Sequence, residues 1–438
     1  MIRQSQSNST GKVWKSWNNR IKHSYETLCT PTNETELIEI IQNTSSVRVI
    51  GTGKSSADIC AGTSTLISLE KYNEILKIDK EQMEITVQSG ITLKSLLRAI
   101  DIEGWSLPAL PDIDTISLGG ALATGTHGTG REAHLLSYYI TSCRLITADG
   151  TVINVTQGSP LMDATQVSLG LLGVISTVTI KCEPAFLLYI KEEPIEDNIW
   201  LSTWKKELSN NFFYRILWLP HTGYGYVIKG IKTESLNHNT SKKPWYIKHR
   251  RKVSALLYKY TVKYPFLTVL ANKIIQRLFF NHVYLHLGRL YEETVTKSRG
   301  STIELSEWIV PRDRFEACFL ELKKTLNSHQ NKSYAHIPMD IRFICRETAW
   351  LSYAYDCDIV TVGCVTRIPE HADSYSAFKT IEDVFKKYEG RPHWAKRHRM
   401  TASDFKKIYP KWEEFINLRR QMDPRGKFLN GYLQKIFA

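Results

Sequence analysis

A chain of 438 residues with 42% hydrophobic and 23% charged residues has ample material for a buried core and an ordinary globular composition. This excludes a low-complexity or disordered chain, and no apolar run reaches the roughly 18 to 20 residues that a membrane-spanning helix needs. The formal charge of +13 is concentrated: residues 241–300 hold thirteen Lys or Arg against two Glu, and the remainder is close to neutral. The excess therefore describes a local surface rather than a nucleic-acid footprint along the chain.

Eight cysteines lie scattered without a C-x-x-C pair. That predicts reduced thiols in a cytosolic protein, and neither a disulfide framework nor a metal site. The opening M-I-R-Q-S-Q-S-N-S-T has no apolar stretch of the kind a secretory leader carries. Trp14 and Trp17 read as the first anchors. The run Thr30-Pro-Thr-Asn-Glu-Thr-Glu-Leu-Ile-Glu-Ile-Ile has a capping residue, early acids and an apolar face at helical spacing.

Val47-Arg-Val-Ile then runs into Gly51-Thr52-Gly53 and small hydroxyl residues, a buried strand ending in a loop with little side-chain bulk. Backbone N–H groups bared by glycine and serine can turn toward an anion such as a diphosphate. Gly53-Lys54-Ser55 copies the tail of a P-loop, but the position where that motif needs its first glycine holds Arg48. The residues after Ser56 read as loop and strand rather than the phosphate-holding helix, which argues against a P-loop. Strands are predicted at 65–69, 75–78 and 84–90, and a short amphipathic helix at 93–100.

Gly119-Gly-Ala-Leu-Ala-Thr-Gly-Thr-His-Gly-Thr-Gly130 leaves almost no side-chain volume around His127. One such loop serves tight packing or a ligand lying against backbone; a second, about seventy residues after the first, favours the ligand. Ala148-Asp-Gly-Thr turns a hairpin, and 167–182 forms a third small-residue turn and a strand. Short helices and strands alternate without a long parallel rhythm, which predicts α+β rather than a Rossmann domain.

Beyond Pro184 the texture changes. Strands are predicted at 212–219, 304–310, 339–344 and 359–366, and helices at 315–326, 377–388 and 402–422. Alternation sends Asp340 and Arg342 to one face of their strand. Between 241 and 291, bases mix with aromatic and aliphatic residues. Apolar positions 266, 267, 269, 270, 274, 275, 278 and 279 mark a helix face that suits either a core or a membrane surface.

Six segments in order carry a resemblance: V-I-G-T-G-x-S-S-A-D-I at 49–59, G-G-A-L-A-T-G-T-H-G-T-G at 119–130, V-S-L-G-L-L-G-V-I at 167–175, W-L-P-H-T at 218–222, G-R-P-H-W-A-K at 390–396 and D-P-R-G-K-F-L-N at 423–430. Nearly the whole chain, from about Trp17, resembles the sugar-1,4-lactone oxidases, flavoproteins of the vanillyl-alcohol-oxidase type. The resemblance implies an FAD-binding domain of two α+β subdomains over residues 20–187. It implies an antiparallel substrate domain over 188–438, with the basic insertion at about 241–300 similar to that of a membrane-associated relative.

FAD would lie on Gly51, Thr52, Gly53, Lys54, Ser55 and Ser56, on Gly119, Gly120, Thr124, Gly125, His127, Gly128 and Thr129, and on Gly173, Val174 and Ile175. Many members carry histidine, covalently linked to the flavin, where this chain has Lys54; an ammonium does not replace that imidazole, so non-covalent FAD is expected. Hydride would pass to the flavin from the carbon bearing the 2-hydroxyl of a sugar lactone, or of a polyol as in the related alditol oxidases, with oxygen or an electron carrier as acceptor. Lys396 and Arg342 are the expected catalytic cations, joined by Asp340, His393 and Glu307. His127 suits either a structural or a chemical role. The expected setting is the cytoplasm, with peripheral membrane contact.

Overall fold

The computed structural model describes residues 12–242, 244–295, 303–328, 334–367 and 376–438. The polar opening decapeptide and the last residues of the basic segment, 296–300, lie outside them. The N-terminal part holds two principal sheets beside two small two-stranded ones. In the first, Thr65–Ser68 pairs in parallel with Thr27–Cys29 on one side and Val47–Ile50 on the other. The second is five-stranded and antiparallel, in the order Val152–Thr156, Ile140–Ile146, Val174–Lys181, Glu84–Gln88, Ile75–Asp79.

Helix Leu93–Ile102 shows how the pattern becomes structure. Thr92 caps it, its side chain accepting the Ser95 N–H at 3.2 Å, and Leu93, Leu96, Leu97 and Ile100 form the buried face. Each such leucine contributes roughly 1.5–3 kcal/mol by leaving water. The glutamate-rich helix Glu34–Gln42 is capped by Asn33 and buries Leu37 and Ile41 against Val47 and Ile67.

The C-terminal part is built on an eight-stranded sheet in which every pair is antiparallel. Its order is Tyr284–Arg289, Leu187–Glu196, Tyr224–Thr233, Phe213–Leu219, Met339–Ile344, Ile359–Arg367, Ile303–Pro311, Arg391–Pro392. The fold is α+β. Helices Asp197–Asn210 and Phe315–Asn327 cover one face of this sheet. Trp200 meets Phe319 with ring centroids 4.7 Å apart, and Trp204 stacks on Phe343 at 5.2 Å.

Side chains alternate across a strand, so Tyr214, Ile216, Met339, Ile341 and Phe343 serve the core while Arg215, Asp340 and Arg342 share the opposite face. Register aligns Arg215 with Arg342, and Asp340 with Gly363, which in turn aligns with Glu307. Polar residues from three of four adjacent strands are thereby gathered on one patch.

Two arrangements differ from the sequence expectation. The last residues of the C-terminal part return to the N-terminal sheets: Val47 N–H donates to Lys427 O at 2.9 Å, and Asn430 Nδ2 donates to Asp58 O at 2.9 Å. The apolar stripe near 270 is also split. Helix Leu267–Phe279 buries Thr268, Ala271, Asn272, Ile275, Gln276 and Phe279. Asn272 is held by Pro220 O, Ala335 O and the Tyr258 hydroxyl. A polar residue with three fixed partners turns inward, and Phe266, Leu270, Ile274 and Leu278 are left exposed.

Candidate active site

Strand Val47–Ile50 delivers the first glycine loop to the edge of a long cleft bordered by all three small-residue loops. A Cβ on Gly51 would stand 2.0 Å from Ser117 Oγ, so only glycine lets this loop press against the start of the 118–123 helix. Gly51, Thr52, Gly53, Lys54 and Ser55 border the cleft, as do Gly119, Gly120, Thr124, His127, Gly173, Val174 and Ile175.

Five expected site residues stand behind its wall. Ser56 is turned toward the C-terminal part, its N–H donating to Ala395 O at 2.7 Å. Gly125 packs under the Tyr353 hydroxyl, which donates to its carbonyl at 2.8 Å. Gly128 abuts the Leu110 backbone, and Thr129 spends its hydroxyl on Tyr214 O at 2.6 Å. Asp340 is screened by two arginines.

Arg48, set aside in the sequence as a broken motif position, is buried at the cleft wall. It donates to Ile59 O at 2.6 Å and to Phe428 O and Leu169 O at 2.8 Å each. Four separate segments are tied by one guanidinium, and burial lowers its pKa to about 10. Ser168 borders the cleft too, its Oγ buried without a hydrogen-bond partner among the described residues.

At the far end the cleft turns charged. Arg215 grips Asp340 with two bonds, 2.7 and 2.6 Å, and reaches Asp112 at 3.1 Å. Arg342 donates to Asp112 at 2.5 Å and to Asp340 at 2.8 Å. Two cations and two carboxylates thus form a closed buried group, in which Arg342 is fixed in place and largely neutralised. Burial opposes its charge, but Asp112, Asp340 and Glu307 hold Arg342 firmly protonated.

Beside it stand Glu307, His393 and Lys396, all bordering the cleft. Backbone bonds set the last two: His393 N–H donates to Glu307 O at 3.0 Å, and Lys396 N–H to His393 O at 2.9 Å. Glu307 Oε1 receives His127 Nε2 at 3.1 Å and Thr361 Oγ1 at 3.1 Å. Burial acts to raise the Glu307 pKa, but His127, His393 and Arg342 take it well below the usual carboxylate range. Burial drives His393 well below the usual imidazole range, with Lys396 adding to that effect and Glu307 opposing it.

Ligand-type atoms of His127, Glu307 and His393 lie within 4.8 Å of one another. His127 Nδ1 stands 3.0 Å from Gly128 O and must donate to it. With Nε2 bonded to a carboxylate, that ring has no lone pair left for a metal in this state.

Asp112 and Arg215 were not singled out from the sequence, nor were Ser117, Ser168 and Arg48. The loop 107–114, L-P-A-L-P-D-I-D, holds two acids after its prolines and reads as a stretch near the flavin without a residue to choose, because the partners of Asp112 lie on another sheet. The cleft suits FAD on its own terms: glycine-walled backbone for a diphosphate and a flat ring, an unsatisfied buried hydroxyl at Ser168, and fixed charges at one end.

Comparisons with known proteins agree. Residues 26–156 match the family described as FAD binding domain, and residues 178–436 match D-arabinono-1,4-lactone oxidase. The chain is 31% identical to L-gulonolactone oxidase of Mus musculus, with 98% of each chain covered. It is 27% identical to L-gulono-1,4-lactone dehydrogenase of Mycobacterium tuberculosis, covering 97% of this chain and 99% of that one. It is 26% identical to D-arabinono-1,4-lactone oxidase of Eremothecium gossypii, with 95% and 93% covered. Cholesterol oxidase from Brevibacterium sterolicum shares the fold, with a TM-score of 0.78 at 14% identity over 98% of this chain and 97% of that one. Family match, whole-length relatives and cleft converge: the chain belongs to the D-arabinono-1,4-lactone oxidase family of FAD-dependent oxidoreductases acting on CH–OH donors.

Proposed function

We propose that this enzyme oxidises a sugar-1,4-lactone of the L-gulono or D-arabinono type at the carbon bearing its 2-hydroxyl, with oxygen as acceptor and hydrogen peroxide as product. The observation that carries this reading is the charged end of the cleft, where Arg342, Lys396, Glu307 and His393 border one space beside glycine-walled backbone. A hydroxyl-rich lactone supplies donors and acceptors for such groups, whereas an apolar alcohol would leave them desolvated and unmatched.

FAD, when bound, would supply the hydride-accepting chemistry, and the protein supplies orientation and charge. Lys396 provides positive potential at that end of the cleft, and Asp340 and Asp112 keep the Arg342 guanidinium from turning away, so that it serves as a fixed donor. Lys54, at the position where the family resemblance implies a linking histidine, supports non-covalent FAD. Anaerobic mixing of the yellow protein with lactones and alditols tests the substrate class, and oxygen uptake with the reactive compound tests the acceptor. Bleaching by alditols alone, or turnover only with an artificial acceptor, would favour the polyol-oxidase or dehydrogenase reading.

A second observation supports peripheral contact with an anionic membrane on the cytoplasmic side. Helix Leu267–Phe279 exposes Phe266, Leu270, Ile274 and Leu278 in one row with Lys273 and Arg277 beside them. The neighbouring helix Trp245–Lys263 exposes Trp245, Leu256 and Tyr260 with Lys252, Lys259 and Lys263. Among the described residues no helix is long and apolar enough to cross a membrane. Apolar rows with interleaved cations suit a headgroup boundary, each cation adding about 1 kcal/mol near an anionic surface. Flotation with anionic vesicles should recover the protein at low salt and lose it with Leu270→Asp/Ile274→Asp; equal flotation with neutral vesicles would defeat the electrostatic part.

A further inference from the structure

We propose that Glu307 is the group that takes the substrate's hydroxyl proton, and that His127 is the positioning residue that orients it and holds it ionised. This rests on the lactone-oxidation reading above.

Proton placement follows from the partners. A carbonyl only accepts, so His127 Nδ1, 3.0 Å from Gly128 O, carries a hydrogen. Its Nε2 lies 3.1 Å from Glu307 Oε1, and two bare lone pairs would repel at that distance. Glu307 is ionised, its pKa held well below the usual carboxylate range by the charged groups around it, so the hydrogen between the two belongs to Nε2. The pair is therefore imidazolium and carboxylate.

Glu307 Oε1 already receives His127 and Thr361. Its Oε2 has no hydrogen-bond partner among the described residues, and the residue borders the cleft. The competing acceptors are engaged. Both oxygens of Asp112 and both of Asp340 take bonds from Arg215 or Arg342. His393 accepts the Ala395 N–H on Nδ1 at 3.1 Å, which leaves its hydrogen on Nε2 and no lone pair to spare. Of the described carboxylates and imidazoles at this end of the cleft, Glu307 alone presents an oxygen that takes no hydrogen bond from the protein.

The step balances. The carbinol O–H bond breaks and its proton passes to Glu307 Oε2. The C–H bond breaks with its electron pair leaving as hydride to oxidised flavin, and the carbon–oxygen double bond forms. A weakly basic carboxylate suits this order: as hydride departs, the hydroxyl proton becomes strongly acidic and needs a nearby acceptor more than a strong one.

The test uses FAD-loaded Glu307→Gln and Glu307→Ala. Three quantities are read: flavin content, binding of the unreactive 2-deoxy lactone through the flavin absorbance change, and the rate of flavin reduction by lactone across pH. Expected are full flavin, 2-deoxy lactone affinity within about threefold, and reduction slowed by about 10²–10⁴, with formate restoring part of the rate in Glu307→Ala. Reduction by Glu307→Gln within tenfold of wild type, or no gain with formate, would overturn the assignment. Should the Glu307 variants not hold FAD, His127→Asn decides. It keeps an N–H for Glu307 but removes the cation, so the acid limb of the rate profile should move to higher pH; an unmoved limb overturns the proposal. Wild-type protein that no lactone reduces would instead sink the reading beneath it, and this inference with it.

Discussion

Asp112 Oδ2 accepts a hydrogen bond from Arg342 at 2.5 Å across 230 positions of sequence, and so joins a loop of the N-terminal part to a strand of the C-terminal sheet. Arg342 is held from two sides, since Asp340 on its own strand takes the other contact at 2.8 Å.

Asp112→Asn keeps the shape and removes one of two carboxylates that fix two buried guanidinium groups. Breaking such a group costs about 3 kcal/mol. FAD should remain bound, the lactone KM should rise, and flavin reduction should slow by about tenfold or more, equivalent to about 1.4 kcal/mol in the barrier. Unchanged kinetics alongside a lowered melting temperature would confine the group to a structural role.

Lys396 borders the cleft on a turn set by His393 O. Removing a fixed donor where negative charge develops typically costs about 2.7–4 kcal/mol. Lys396→Met should keep FAD and near-normal thermal stability while flavin reduction falls by about 10²–10³. Loss of FAD with a normal rate in the residual holoenzyme would contradict this.

Glu347 is a buried carboxyl whose pKa burial lifts to about 7, despite Ser352 and the Leu135 backbone favouring its charge. The folded protein thus binds this proton more tightly than the unfolded chain does. Its contribution is fully present below about pH 4.3 and is lost as pH rises through about 7. Glu347→Gln should match wild type at pH 4 and exceed it at pH 8 by an amount on the order of 3 kcal/mol. Parallel melting curves across that range would show that the carboxyl is ionised throughout.

Gly51→Ala places a methyl carbon where Ser117 Oγ stands, 2.0 Å away. The loop must retreat from the 118–123 helix, and FAD affinity should fall at least about tenfold, or about 1.4 kcal/mol. Adding Ser117→Gly opens the space and should restore part of it. Flavin titration of the apoprotein reads both.

What the sequence could show depended on range. Gly51–Gly53 and Gly119–Gly130 were legible because bare backbone at two loops is a local signal, and Asp340 and Arg342 because strand alternation is local as well. Asp112 and Arg215 were not, since their meaning lies in contacts across 103 to 230 positions. Lys396 and His393 were found through resemblance rather than spacing. The stripe around Leu270 illustrates the opposite limit. Helical periodicity marks an apolar side, but Asn272 with its three buried partners decides which side faces in. Gly125, Gly128 and Thr129 sit in the right loop yet pack behind it, because a glycine serving close contact and a glycine serving a ligand look alike in sequence.

The most direct measurement is an anaerobic titration of the FAD-loaded enzyme with L-gulono-1,4-lactone and D-arabinono-1,4-lactone beside their 2-deoxy counterparts, following the yellow absorbance. The account predicts full bleaching by a lactone carrying the 2-hydroxyl and none by its 2-deoxy form. Bleaching by the 2-deoxy lactone, or an oxidised spectrum with every lactone while an alditol reduces it, would contradict oxidation at that carbon.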